Sequence, residues 1–137
     1  MKEELNAIMN AEGDFKQFRY LGFECFAKRG PVGAWCGYVK IPKSHPVFGE
    51  DCDSIDIDVH GGLSFSDIAL PNYPSETGWY IGFDCAHAGD LCPSMLDYFY
   101  LDNDVYRTLE YVETELKKVV EQLFNIDLTI KSYKEEN

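Results

Sequence analysis

One apolar stripe constrains this chain more than any other feature. Val105, Leu109, Val112, Leu116, Val119 and Leu123 recur at alternating steps of four and three, while Glu110, Glu113, Lys117 and Glu121 fall elsewhere. That spacing draws a continuous apolar ribbon down one side of an α-helix. Such a helix takes most of its stability from whatever covers the ribbon, so the rest of the chain has to supply a second layer. Asp102, Asn103 and Asp104 are the N-cap candidates before it.

The second layer reads as a sheet. Aromatic-rich residues 15–27 predict a strand, with Leu21, Phe23 and Cys25 on one parity and Tyr20, Glu24 and Phe26 on the other. Residues 28–33 carry turn chemistry, and 34–41 read as the return strand of a hairpin, closed by Pro42. The clearest alternation lies at 55–60, where Ile55, Ile57 and Val59 interleave with Asp56, Asp58 and His60 before Gly61 and Gly62. Another strand follows at 79–84, with Trp79, Ile81 and Phe83 opposite Tyr80, Gly82 and Asp84, and residues 126–133 alternate again as an edge strand. Residues 2–11 predict a short helix ended near Gly13. The expected fold is α+β, a mainly antiparallel sheet of four to six strands with one long C-terminal amphipathic helix packed on it. It forms a single domain over residues 1–137.

Charge and composition narrow the partners. Twelve Lys+Arg against 24 Asp+Glu leave a net charge of −12, which disfavours direct binding to a phosphate backbone. No apolar run approaches the roughly 20 residues of a membrane-spanning helix. The N-terminal Lys2-Glu3-Glu4 does not look like a signal peptide, and five cysteines without a Cys-x-x-Cys pair suggest reduced thiols. A cytoplasmic protein with no membrane partner is expected.

The sharpest chemical constellation joins Asp56-x-Asp58-x-His60-Gly61-Gly62 to Asp84-x-x-His87-x-x-Asp90. On a strand the first three polar groups share a face about 6.5–7 Å apart, too far to hold one ion unaided. A divalent metal would therefore recruit Asp84 or His87 alongside Asp58 or His60. A solvated sheet face explains the same acids. Gly61 and Gly62 suit a positive φ with exposed backbone N–H groups, or an ordinary bulge. Cys85 shares parity with Ile81 and Phe83, so it reads as a core thiol rather than a nucleophile. Trp35, Tyr38, Trp79 and Tyr80 are candidate stacking platforms, and Lys40, Lys43 or Arg29 the cations for any phosphate. Loops 42–53 and 84–93, with the end of the His60 strand, are expected to form one polar pocket.

Taken together, Gly37-Tyr-Val39, Pro42, His45-Pro46, Val59-His-Gly-Gly-Leu-Ser-Phe-Ser66 and Trp79-Tyr-Ile-Gly-Phe-Asp-Cys-Ala-His-Ala-Gly-Asp90 resemble a family of small uncharacterised bacteriophage and bacterial proteins. The resemblance spans about half the chain. It implies a phage-type accessory protein and marks His60, Gly61, Gly62, Asp84, His87, Gly89 and Asp90 as the site, without naming a reaction. In that setting the expected function is binding of a small nucleotide-like ligand, sequestering a host immune signal. One alternative is a metal-dependent hydrolase of a small phosphorylated molecule, with Asp58, His60, Asp84 and His87 as ligands. The other is an acidic inhibitor mimicking nucleic acid. A host defence protein is a further partner in that setting, and a second copy of the chain is kept open as another.

Overall fold

The computed structural model describes residues 2–98 and 101–136. The expected architecture is present: a five-stranded antiparallel sheet and one long C-terminal helix. Helix α1 (Lys2–Glu12) leads into β1 (Phe15–Tyr20), β2 (Phe23–Arg29) and β3 (Trp35–Lys40). A long connection then reaches β4 (Phe65–Asp67) and β5 (Tyr80–Asp84), and α2 (Leu109–Glu136) follows. The spatial order is β1-β2-β3-β5-β4.

Residues 15–27 are two strands rather than one. Tyr20 pairs with Phe23, and the chain reverses through Leu21 and Gly22 at φ +48° and +84°. Two successive positive φ values match the right-handed twist of the flanking strands, the usual solution for a two-residue hairpin. Leu21 lacks the side chain that normally announces such a turn, and it sits half exposed at the tip.

One face of the sheet carries Cys25, Ala27, Trp35, Val39, Ile81 and Phe83, all buried. Val112, Leu116, Val119 and Leu123 of α2 close over them, as the stripe requires. On the other face Phe26, Tyr38, Leu70 and Tyr80 form a smaller cluster under the 68–78 loop, where Tyr73 stacks on Phe15 at 4.4 Å.

Two expectations about α2 are corrected. The helix starts at Leu109, not near Asp104: Thr108 Oγ1 accepts from the Tyr111 N–H at 3.1 Å, and a Glu12 carboxylate oxygen accepts from the Leu109 N–H at 2.5 Å. Val105 instead pairs with the 89–91 backbone, donating to Gly89 O and accepting from Leu91 N–H, both at 2.8 Å. At the other end, residues 126–133 are not an edge strand, because the helix runs on to Glu136. Ile126, Leu128 and Ile130 satisfy a period of two by coincidence, while Ile126, Ile130 and Tyr133 continue the helical stripe.

The 55–60 segment is extended but belongs to no sheet. Ile55, Ile57 and Val59 are buried and Asp56 and Asp58 exposed, so the alternation reports burial correctly. Its partners are side chains of α2. Gln122 accepts from the Asp58 N–H at 2.8 Å and donates to Asp58 O at 2.7 Å, and Glu115 accepts from the His60 N–H at 2.8 Å. Alternation says which face is dry, not what receives the backbone hydrogen bonds. No helix among the described residues is long and apolar enough to cross a membrane.

Candidate functional site

The 55–60 segment and the 84–91 turn meet beside the first turns of α2. His60 sits between two partners: Nδ1 is 2.8 Å from the Tyr111 hydroxyl and Nε2 2.8 Å from Asp90 Oδ2. Asp90 is buried and accepts from three directions. Besides His60, Arg107 Nε donates to Oδ1 at 2.9 Å and the His87 N–H donates to Oδ2 at 3.1 Å. Burial alone would push this carboxyl up, but the donors from His60, Arg107 and the His87 backbone outweigh it and hold it below the usual carboxylate range. Arg107 also lies over the Tyr111 ring at 5.1 Å, and Tyr111 meets His60 edge-on.

Outside this inner set lies a second pair. Asp84 Oδ1 is 3.2 Å from His87 Nε2 and accepts from the Ala86 N–H at 3.0 Å, while Asp84 Oδ2 accepts from Ser64 Oγ at 2.9 Å. His87 keeps 39% of its side chain exposed and Asp84 33%, against 14% for His60 and 1% for Asp90. The His87 ring rests on the backbone of Gly61: a Cβ there would stand 2.4 Å from His87 Cδ2 and Nε2. Gly61 also holds φ +68°, so both the turn and the imidazole's seat exclude a side chain.

Six of the seven expected site residues therefore gather: His60, Gly61, Asp84, His87, Gly89 and Asp90. Gly62 takes the expected positive φ, +81°, and closes the turn by donating to Val59 O at 2.9 Å. Gly89 at φ +92° presents its carbonyl to Val105. The metal set does not converge. Asp58 points away to Lys118 at 3.3 Å with 84% of its side chain exposed, and both His60 nitrogens are engaged. Among the described residues, no group of three or more His, Cys, Asp or Glu side chains is arranged to hold a metal ion.

Nor does a Cys or Ser nucleophile emerge. Cys85 is fully buried, as its parity predicts, and burial followed by the nearby Asp90 charge pushes its thiol up, away from thiolate. Ser64 donates to Asp84, a carboxylate it shares with His87 and the Ala86 N–H, rather than to an imidazole.

Loops 42–53 and 84–93 do not share a pocket. Antiparallel pairing sets Cys36 beside Asp84 and Lys40 beside Tyr80, so the chain leaves β3 and β5 at opposite ends. The 42–53 loop is anchored at the far end, where Ile41 N–H donates to Trp79 O and Trp79 Nε1 donates to Glu50 O. Lys40 and Lys43 border a depression of about 460 Å³ there, and Arg29 is sequestered with Glu12. None of the three expected cations lines the cavity at His87, and Arg107 reaches the cluster through Asp90. Nothing in the local sequence singles out Arg107 or Tyr111, which reach the site because α2 starts where it does.

Two depressions flank the 84–87 turn, with Ala86 in the wall of each. One, of about 270 Å³, is lined by Ala86, His87, Gly89, Cys92, Met95 and Asp104. The other, of about 380 Å³, is lined by Cys36, Tyr38, Ser64, Phe65, Asp84 and Ala86. Of the four candidate platforms, Tyr38 alone borders either one. It lies over Gly82, where a Cβ would come within 2.5 Å of its ring, and meets Phe65 edge-on at 5.1 Å. Trp35 and Tyr80 are buried in the core. No protein-family model, curated protein or solved structure matches the chain.

Proposed function

We propose that the protein binds a small nucleotide-like molecule across the 84–87 turn and acts by sequestering it, in keeping with the resemblance to phage-type accessory proteins. The observation that carries this reading is the division of labour between the two histidines. His60 is fully engaged, with a partner on each ring nitrogen. His87 is held by Asp84 through Nε2, leans on the bare backbone of Gly61, and lines a cavity. A pre-positioned imidazole with one nitrogen to offer recognises a polar ligand without rearranging.

The flanking depressions suit the two chemistries of such a ligand. The Tyr38 and Phe65 side supplies apolar and aromatic wall for a planar base, and Asp84 on its rim accepts from an exocyclic amine. The His87 side supplies hydrogen-bonding groups, with His87, Asp90 and Asp104 in its wall. Recognition rather than turnover is favoured because Cys85 is buried with its thiol pushed away from thiolate and Asp90 is already ringed by donors.

The test is a thermal-shift and calorimetric panel of mono-, di- and cyclic oligonucleotides, with mass spectrometry of what copurifies. The expected result is one nucleotide class bound and recovered intact after heat release. Affinity should fall at least ~tenfold in His87→Ala, the loss of about one good polar contact. A panel with no binder overturns the reading, and turnover of the bound nucleotide replaces it with the hydrolase.

A further inference from the structure

Helix α2 outlasts the body it packs on. Leu123 is its last fully buried residue, and its carbonyl accepts from His45 Nε2 at 2.7 Å. From Leu128 to Glu136 every residue is exposed. The apolar spacing nevertheless continues without a break: Leu109, Val112, Leu116, Val119, Leu123, Ile126, Ile130 and Tyr133 step by three and four throughout. The first five face the sheet. Ile126 is at the boundary, and Ile130 and Tyr133 stand 37% and 64% exposed. A seam of heptad spacing whose apolar positions stand exposed is a coiled-coil surface.

We propose that this overhang pairs with the same segment of a second copy of the chain, in antiparallel orientation. Charge selects both the occupant and the direction. Residues 124–136 carry two lysines and three acids in a chain of net charge −12, so here two copies approach with little repulsion. With Ile130 packed on the partner's Tyr133, the flanking positions bring Asp127 opposite the partner's Lys134, and the two-fold axis makes that contact twice. Asp127 is already steadied beside the seam by Lys131 at 3.0 Å. A parallel pair would instead set Thr129 against Lys134 and press two acidic bodies side by side. Antiparallel pairing carries the bodies to opposite ends of a helix segment about 20 Å long. An interface this short is smaller than a standard one, so the dimer is concentration-dependent.

Sedimentation of the full chain from micromolar to several hundred micromolar tests this. The expected result is a reversible shift of mass from monomer to dimer, weakened at least ~tenfold by Ile130→Asp and left in place by Leu128→Asp on the opposite side of the helix. Asp127→Lys and Lys134→Asp should each weaken it, and the double variant should restore it, since only the reversed pair is again complementary. Helicity by circular dichroism accompanies each variant. A chain that stays monomeric throughout, a dimer indifferent to Ile130→Asp, or a double variant that adds the two losses overturns the proposal.

Discussion

Two carboxylates ringed by donors, the half-buried Glu12 and the buried Asp90, stand on either side of residues 105–107, and the contrast between them shows what turns a polar network into a site. Glu12 receives Arg29 Nη2, Trp35 Nε1, the Tyr106 hydroxyl and the Leu109 N–H. Asp90 receives His60, Arg107 and the His87 N–H. Both carboxyls feel burial first, which raises them, and both are carried below their ordinary values by the donors around them. The difference lies one layer out. Behind the donors of Glu12 is mostly protein: Arg29 lies 4.1 Å over Trp35 and reaches the carbonyls of Met9, Gly13 and Gly33, with only Asp14, 3.6 Å from its Nε, out in solvent among its described partners. Beyond the donors of Asp90 come His87 and Asp84, still more than a third and about a third exposed. A ringed carboxylate that is closed twice is a staple joining α1, β2, β3 and α2. One that is closed once and then opens is a support for groups that meet solvent.

Substitutions break the comparison at three depths. Arg29→Ala should have the largest effect, about 3–5 kcal/mol, because it strands the Glu12 charge in a nearly closed environment. Urea unfolding reads it directly, and ligand binding should fail with the fold. Asp90→Asn should cost about 1–3 kcal/mol, since the amide satisfies His60 and Arg107 only in part. It should also flatten the acid limb of stability. A carboxyl whose folded value is depressed contributes fully above its unfolded value, 3.8 for Asp90, and loses that contribution as pH falls through the lower folded value. The wild-type chain should therefore lose stability more steeply below about pH 4 than the variant does. His87→Ala should move stability least, within ~0.5 kcal/mol, because the ring rests on the surface and leaves no buried partner unsatisfied. A large loss there would erase the distinction between staple and site.

How much of this was legible varies by residue, for physical reasons. The stripe of α2, the two faces of β5, the inward Cys85 and the positive φ of Gly61 and Gly62 all follow from local periodicity or backbone sterics. The Leu21–Gly22 reversal did not, because tertiary pairing forces a leucine where a glycine or asparagine would have signalled the turn. The 55–60 segment showed its burial but not its partners, since glutamine and glutamate side chains stand in for a neighbouring strand. Metal ligation by Asp58 presumes a strand face shared with His60; with the segment lying along α2, Asp58 turns to Lys118 instead. Glu12, Arg29, Arg107 and Tyr111 depend on contacts between distant parts of the chain and left no local mark.

The neighbouring residues Tyr106 and Arg107 carry one more consequence. In an extended backbone consecutive side chains leave on opposite sides, and here one enters the Glu12 staple while the other grips Asp90. The piece of chain that opens the long helix is thus tethered at both hands. Whatever tugs on the Asp90 side, a molecule lodging against His87 included, pulls through a single peptide linkage on the clamp that holds the N-terminal helix to the sheet.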